Sequence, residues 1–204
     1  MREITVSLAQ FDAGMGQPAL NLERAEAWVH EAARRGSDLV LLPELWYDGL
    51  DYERASELAA AIGEGAFAHM SRLAREARVY LVGSLFERDG ASLYNSLGLF
   101  SPAGELLCLY RKAHLFALMD EDVHLSPGQA LEMAELPWGK VGLAICYDLR
   151  FPEIFRHYAA SGADAILLPA QWPLTRLAHW RTLIGARAIE NQLFVLACNR
   201  AGRE

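Results

Sequence analysis

The sequence predicts one α/β domain with a mixed sheet system. Segments of strand character alternate with segments of helical spacing along the 204 residues, which is typical of sheets covered by helices. Two segments, DLVLLP at 38–43 and AILLPA at 165–170, are apolar on both faces and therefore suit central strands. Strand-like segments near 79–87, 93–100 and 104–111 follow one another across short turns, so part of the sheet system is antiparallel.

The remaining segments are predicted to form further strands and helices. Residues 3–10 alternate like a strand, residues 18–35 have apolar side chains at helical spacing up to Gly36, and residues 52–78 read as helical. The second half predicts its elements in the order strand, strand, helix, strand, helix, strand: 130–136, 141–146, 152–161, 165–170, 176–190 and 193–198.

Composition argues against several classes of protein. The formal net charge is −7 without a basic run, so a nucleic-acid partner is not expected. No apolar stretch approaches the roughly 20 residues that cross a bilayer, and the first residues lack the apolar core of a secretory signal. The three cysteines, Cys108, Cys146 and Cys198, are far apart and form no CxxC pair. We therefore expect a cytoplasmic protein without a membrane partner.

One segment is echoed later in the chain. SDLVLLPELW at 37–46 and ADAILLPAQW at 163–172 align without gaps, and a glycine precedes each. Two equivalent helix–strand units explain this echo, and chance similarity between buried strands is the alternative. The copies differ where Glu44 corresponds to Ala170, so building the unit does not require a carboxylate at this position.

Two reactive side chains follow predicted strands. Glu44 comes after DLVLLP and Cys146 after VGLAI, at strand ends where ligands of α/β proteins collect. Pro152 can open the helix after Cys146. Nearby backbone N–H groups and the helix dipole are expected to favour the thiolate, which is the nucleophilic form. The alternative is a buried, inert thiol.

Two further charged residues are candidates for the functional site, and each also has an ordinary structural explanation. Lys112 follows the strand GELLCLY, where a basic pair is usually a solvated strand end. Glu121 lies in MDEDVHLSPG, which reads as an acidic surface loop. The histidines that flank this acidic run, His114 and His124, match no recognised spacing of metal ligands, so we expect no metal site.

Four ordered blocks carry a family resemblance. LLPELW, YRKAHLF, AICYDLRFPE and HWRTLIGARAIENQLFVLACNRAG resemble, in this order, segments of the nitrilase superfamily of carbon–nitrogen hydrolases. The resemblance implies a four-layer α-β-β-α sandwich with pseudo-two-fold halves. It also implies a catalytic set of Glu44, Lys112 and Cys146, and a second glutamate, Glu121, that precedes the SPG motif.

The resemblance further implies a reaction. Cys146 would attack an amide carbonyl while Glu44 acts as the base, and Lys112 with the backbone N–H of Tyr147 would hold the oxyanion. Glu121 would orient Lys112 or the substrate amide. A thioester would form and then be hydrolysed, and no metal or organic cofactor is required.

The blocks look closest to the omega-amidase branch, whose substrates are terminal amides of 2-oxo dicarboxylic acids. Such a small amide carries a carboxylate, so Arg150 and Arg176 are candidate contacts, with surface or interface salt bridges as the alternative. Tyr47 and Trp172, together with Trp46, follow strand ends and are candidates for the pocket wall; ordinary core packing is the alternative.

Other interpretations stay open at this point. A nitrilase or an N-carbamoyl hydrolase would use the same residues, and a non-catalytic scaffold is a further alternative. Family members continue past a CNRxG segment through several more strands, so we expect residues 1–204 to be one hydrolase domain without its C-terminal strands. The resemblance also implies a homodimer or a larger homo-oligomer.

Overall fold

Two sheets stacked face to face form the centre of the molecule. The computed structural model describes residues 3–202. The first sheet has the order β1-β2-β3-β4-β5; its first three strands are parallel, and β4 and β5 continue it antiparallel. Its strands are Val6–Leu8, Leu39–Leu41, Tyr80–Asp89, Ser92–Phe100 and Leu106–Arg111.

The second sheet has the order β6-β7-β8-β9. Strands β6 and β7 are antiparallel, whereas β7, β8 and β9 are parallel. Its strands are Met133–Leu136, Gly139–Leu143, Ala165–Ala170 and Phe194–Asn199. Each sheet therefore contains both parallel and antiparallel strand pairs, which confirms the prediction of a mixed sheet system.

Helices cover the outer faces of the sheets. The α-helices α1 to α6 are Pro18–Arg34, Ala55–Leu58, Gly65–Ala77, Glu121–His124, Pro152–Ala160 and Leu177–Asn191. Short 3₁₀ turns lie at Tyr52–Arg54, Ala117–Met119, Cys146–Arg150 and Leu174–Arg176. None of the helices described for residues 3–202 is both long and apolar enough to cross a membrane.

The buried clusters show how the layers stack. Leucines of the first sheet, such as Leu41 and Leu97, share one buried cluster with Leu143 and Leu167 of the second. A separate cluster joins α1 and α3 to the outer face of the first sheet. On the second sheet, the Tyr158 hydroxyl of α5 donates to the backbone carbonyl of Leu143, 2.6 Å away. The result is the expected four-layer α-β-β-α sandwich.

The echoed segments occupy equivalent places. The carboxylate of Asp38 accepts the backbone N–H of Thr5, and the carboxylate of Asp164 accepts that of Lys140, each over 2.8 Å. In both copies, the aspartate's own N–H donates back to the same neighbour's carbonyl. The echo therefore reflects a repeated β-α-β arrangement and not chance similarity.

One predicted element is wrong in its extent. Residues 52–78 form a 3₁₀ turn and two separate helices, because the chain leaves helical geometry between α2 and α3. There Ala60 forms a β-bridge to Glu87 of β3, and Gly63 adopts a φ of 86°. A tertiary contact with the sheet thus overrides the local helical preference.

Candidate active site

The ends of four strands bring the reactive residues together. Glu44 follows β2, Lys112 follows β5, Cys146 follows β7 and Gln171 follows β8. Since the two sheets face each other, their carboxyl ends form the floor of one cleft. The structure therefore unites the three predicted residues Glu44, Lys112 and Cys146, which lie far apart in sequence.

Lys112 is the centre of a buried charged cluster. Its Nζ lies 2.8 Å from Oε1 of Glu44, and 2.9 Å and 2.7 Å from the two carboxylate oxygens of Glu121. The Lys112 side chain is only 2% exposed, and both glutamates are fully buried. Burial alone would lower the pKa of Lys112, but Glu121 and Glu44 outweigh burial and raise this pKa well above its usual range.

Glu121 is held inside the protein and does not lie in a solvated acidic loop. It begins α4, and its Oε2 accepts the backbone N–H of Phe116 over 2.8 Å as well as the Lys112 ammonium. The acidic run predicts a surface loop, and this holds for Asp122, which is exposed. Glu121, the residue before it, is buried. Position in the short helix, and not local composition, decides which carboxylate turns inward.

Two uncharged side chains, which the sequence did not single out, complete the cluster. The Asn95 amide donates to Oε1 of Glu44 over 3.0 Å and to Oε1 of Glu121 over 3.1 Å. The backbone N–H of Gln171 donates to Oε2 of Glu44 over 2.9 Å, and its side-chain amide donates to the Glu44 carbonyl. The sequence signal for Asn95 is a side-chain amide within the strand SLYNSLGLF, β4.

Cys146 lies at a sharp backbone turn. It begins a five-residue 3₁₀ turn and adopts a φ of 43°, in the left-handed region that a non-glycine residue rarely occupies. The residue is 9% exposed, and its thiol lies close enough to Glu44 for the carboxylate to influence its pKa. The strained turn aims the thiol into the cleft beside the carboxylate.

The expectation that the helix dipole favours the thiolate is wrong for this resting site. Burial, followed by the negative charge of Glu44, raises the pKa of the Cys146 thiol well above its usual range, although Lys112 acts in the opposite direction. The turn of Cys146–Arg150 is short, and α5 starts only at Pro152, so a helix dipole contributes little. The thiol is therefore neutral at rest and needs a base.

Asp148 connects the Cys146–Arg150 turn to the end of β5, directly before Lys112. Its fully buried carboxylate accepts the Ile145 N–H over 2.9 Å and the Tyr110 hydroxyl over 2.8 Å. Its other oxygen accepts the backbone N–H of His114 over 3.0 Å. One carboxylate thus fixes the relative position of Cys146 and Lys112.

The cleft above the thiol has an empty volume of about 410 Å³, including its open mouth. It is lined by Glu44, Leu50, Tyr52, Lys112, Phe116, Met119, Cys146, Tyr147, Arg150, Gln171, Trp172, Pro173 and Arg176. Tyr147 follows Cys146 at the start of its 3₁₀ turn, where an N–H has no acceptor within the helix. That N–H is therefore available near the thiol.

Three of the four predicted substrate contacts line the cleft. The guanidinium of Arg150 lies 4.8 Å above the ring of Trp172, and the Trp172 indole donates to the Arg176 carbonyl over 3.0 Å. Within residues 3–202, neither arginine forms an ion pair with a carboxylate. The predicted role of Tyr47 is not supported. Its ring packs on Trp46 and His69, outside the cleft lining.

His114, one of the two histidines considered as metal ligands, contacts Asp148 and Phe151. His114 Nδ1 lies 2.9 Å from Asp148, and its ring stacks on Phe151 at 3.5 Å. Among residues 3–202, no group of three or more His, Cys, Asp or Glu side chains is arranged to hold a metal ion.

The loop after Glu44 contains a buried carboxyl group with a distinct pH dependence. Asp48 is 1% exposed, and neither of its oxygens has a partner of normal hydrogen-bond geometry among the described residues. Burial raises its pKa to about 7; the backbone of Phe86 opposes this rise and Asp51 adds to it. The folded protein thus holds a proton near pH 6 that the unfolded chain releases.

We expect the Asp48 contribution to stability to fall as pH rises from about 4 to about 7 and then to stay level. Asp48→Asn should therefore raise the free energy of unfolding by about 4 kcal/mol at pH 8, and this gain should vanish near pH 4. Urea unfolding at both pH values measures it. Asp122→Asn, at an exposed position, is the control, and an equal gain at both pH values would contradict the prediction.

The chain is similar to named amidases over most of its length. The chain is 41% identical over 199 residues to the 2-oxoglutaramate amidase of Bacillus subtilis (strain 168), covering 97% of this chain and 76% of that protein. It is 38% identical over 193 residues to omega-amidase NIT2 of Danio rerio, covering 90% of this chain and 70% of that protein.

A solved structure is similar over nearly the whole chain. It is a mutant of the amidase from Nesterenkonia sp. AN1 that shows the result of Michael addition of acrylamide at the active site cysteine. The TM-score is 0.90 at 28% identity, covering 99% of this chain and 80% of that one. The family model described as carbon-nitrogen hydrolase matches residues 5–204. The chain belongs to the carbon–nitrogen hydrolase family.

Proposed function

We propose that this chain hydrolyses a small carboxamide to a carboxylic acid and ammonia through a thioester on Cys146. The observation that carries the proposal is that a buried thiol, Cys146, shares the floor of an open cleft with Glu44, whose carboxylate accepts from Lys112. An amide is a poor electrophile, so it needs a nucleophile, a trap for the oxyanion and a proton for the leaving nitrogen.

The first step is attack with proton transfer. Because burial keeps the Cys146 thiol neutral, Glu44 removes the thiol proton as the sulfur bonds to the carbonyl carbon. Oε1 of Glu44 accepts from Lys112 and Asn95, whereas Oε2 accepts from a single donor among residues 3–202, the Gln171 N–H. We therefore assign proton transfer to Oε2.

The same transfer prepares the oxyanion site. At rest, all three N–H groups of the Lys112 ammonium have carboxylate acceptors: one faces Glu44 and the others face Glu121. When Glu44 becomes neutral, its attraction for the ammonium weakens. One donor of Lys112 can then turn to the oxyanion, together with the N–H of Tyr147. Losing one such donor typically raises the barrier by about 3–4 kcal/mol.

The second half of the reaction uses the same base. Glu44 returns the proton to the nitrogen, the carbon–nitrogen bond breaks, and ammonia leaves the thioester behind. A water molecule, deprotonated by Glu44, then attacks the thioester carbonyl and releases Cys146 as the thiol. Glu121 keeps the ammonium of Lys112 charged and oriented throughout, and transfers no proton itself.

For the substrate, we propose an amide that also carries a carboxylate, such as 2-oxoglutaramate, the substrate in the name of the Bacillus subtilis relative. The support in this chain is Arg150, a cleft-lining cation without a carboxylate partner among the described residues. Its position over Trp172 keeps the guanidinium at the cleft wall, where it can bind a carboxylate in bidentate fashion. Arg176 lines the same side of the cleft.

Arg150→Met tests this substrate assignment. We expect KM for 2-oxoglutaramate to rise about 10–100-fold, since a hydrogen-bonded charge pair contributes about 1.5–3 kcal/mol. KM for a neutral amide of similar size should change little. Arg181→Met, at an exposed position of α6, is the control. Equal losses on the acidic and the neutral amide would contradict the assignment.

A panel of substrates tests the reaction class. Ammonia release is measured with 2-oxoglutaramate, a neutral amide, a nitrile and an N-carbamoyl amino acid. Turnover of the amides supports the proposal, whereas exclusive turnover of the nitrile or the carbamoyl compound assigns the site to those reactions. A folded chain that turns over none of them, and whose Cys146 resists thiol reagents, is a non-catalytic scaffold.

We also propose a cytoplasmic homodimer or larger homo-oligomer. The three cysteines are free thiols, which suits a reducing compartment. Ile189 of α6 and Phe194 of β9 are 80% and 69% exposed, which suits a subunit interface on this side of the second sheet. Sedimentation equilibrium of the wild type and of Ile189→Glu tests the assembly. A concentration-independent monomer would contradict it.

A further inference from the structure

Asn95 is a buried amide that touches both carboxylates of the catalytic cluster. It lies in β4 and is fully buried. Its Nδ2 is 3.0 Å from Oε1 of Glu44 and 3.1 Å from Oε1 of Glu121. The reverse amide orientation would place Oδ1 against two carboxylate oxygens, so the nitrogen must face them.

The backbone around Asn95 fixes this position. Its carbonyl accepts the Lys112 N–H over 2.9 Å, so the amide and the lysine that contact the same two carboxylates are tied through the main chain. Its Oδ1 has no hydrogen-bond partner among the described residues. The protein therefore leaves one buried acceptor unpaired while using both donors of the amide on the two glutamates, which indicates that the donors matter.

The charges around Asn95 explain why a neutral donor is required there. Glu44 and Glu121 face each other across one cation, Lys112, and their other titratable neighbours are Tyr52 and Cys146. Burial raises the pKa of Tyr52 well above its usual range, and that of the Cys146 thiol as well, so both are neutral. The Asn95 amide therefore supplies both carboxylates with donors that add no further charge to the cluster.

We propose that Asn95 is a positioning residue that donates to Oε1 of both Glu44 and Glu121 and so leaves Oε2 of Glu44 as the proton acceptor for Cys146. The inference rests on the proposed role of Glu44 as base. Asn95 and Lys112 both donate to Oε1 of Glu44, so this oxygen has little capacity for a proton. In the described part of the chain, Oε2 accepts the Gln171 N–H alone and so retains a lone pair for the thiol proton.

The test measures Cys146 directly, because its reaction with iodoacetamide does not depend on turnover. The rate of alkylation is followed against pH by peptide mass spectrometry for the wild type and for Asn95→Leu. We expect the rate at pH 7 to fall about tenfold in Asn95→Leu, because Oε2 of Glu44 is then no longer held as the base for the thiol. The rates of the two proteins should converge at high pH, where the thiol ionises without a base. Asn95→Ser, which retains a hydroxyl donor, should give an intermediate profile.

Turnover gives a second readout. With 2-oxoglutaramate, Asn95→Leu should lower kcat about 10–100-fold while KM changes less than about threefold. Ser96→Ala is the matched control on the opposite face of β4, where the hydroxyl of Ser96 donates to Glu87 and not to the cluster. It should leave the alkylation profile unshifted. Circular dichroism verifies that each variant is folded.

The outcomes separate this inference from the proposed function. An alkylation profile of folded Asn95→Leu that matches the wild type overturns the inference, even if the wild type is an active amidase. The same holds if Asn95→Leu slows alkylation equally at every pH, which is the mark of a merely structural change. Alkylation of Asn95→Leu that is slow at pH 7 but not at high pH, in a chain that releases no ammonia, supports the inference while the proposed amidase activity fails.

Discussion

Cys146→Ala is expected to reduce ammonia release from 2-oxoglutaramate to the background rate, a loss of at least about 10³-fold. The reason is that every later step needs the carbon–sulfur bond. Glu44 can polarise a water molecule, but without the thiol no thioester forms and the leaving nitrogen must depart from a less favourable intermediate. Ammonia release measured with a coupled dehydrogenase assay checks the prediction.

The other two cysteines are the controls for this variant. Cys108 and Cys198 are buried at strand positions away from the cleft, and burial raises the pKa of Cys108 to about 11. Cys108→Ala and Cys198→Ala should retain most of the turnover and lose only stability, about 1–2 kcal/mol. Loss of activity in folded Cys198→Ala to the level of Cys146→Ala would contradict the assignment of the nucleophile.

Lys112→Met is expected to damage both stability and catalysis. Glu44 and Glu121 would then lie buried without a cation, and breaking a buried ion pair in this way typically lowers the free energy of unfolding by about 3–5 kcal/mol. Turnover should fall about 10²–10³-fold, because a main donor to the oxyanion is lost. Urea unfolding followed by tryptophan fluorescence, together with ammonia release, measures both effects.

A control variant separates the loss of this buried ion pair from the loss of any lysine charge. Lys140→Met is the control, since Lys140 lies exposed in β7. A Lys112→Met protein as stable as the wild type at pH 7 would contradict the description of a charged cluster.

The strand-end residues of the site could be predicted from the sequence. Glu44 and Cys146 follow short apolar segments that can only be buried strands, and the carboxyl ends of such strands meet. The family resemblance then supplied Lys112 and Glu121, which local composition placed on the surface. The echo of 37–46 in 163–172 also indicated two equivalent units, and their matching hydrogen bonds confirm it.

Other features depend on three-dimensional contacts that a single sequence does not contain. Asn95 and Gln171 act through partners that lie 51 and 127 positions from them in the chain. The neutral state of the Cys146 thiol follows from burial beside Glu44, which the strand-to-helix pattern does not reveal. Tyr47 follows a strand end like Glu44, but the turn after Glu44 directs its ring to His69.

The central claim is that Cys146 becomes acylated during amide hydrolysis. The most direct measurement is acid quenching of the enzyme during turnover of 2-oxoglutaramate, followed by peptide mass spectrometry. The account predicts an acyl adduct on the peptide that contains Cys146, absent from Cys146→Ala and removed by hydroxylamine. Steady ammonia release by a Cys146→Ala protein, or an adduct confined to another residue, would contradict it.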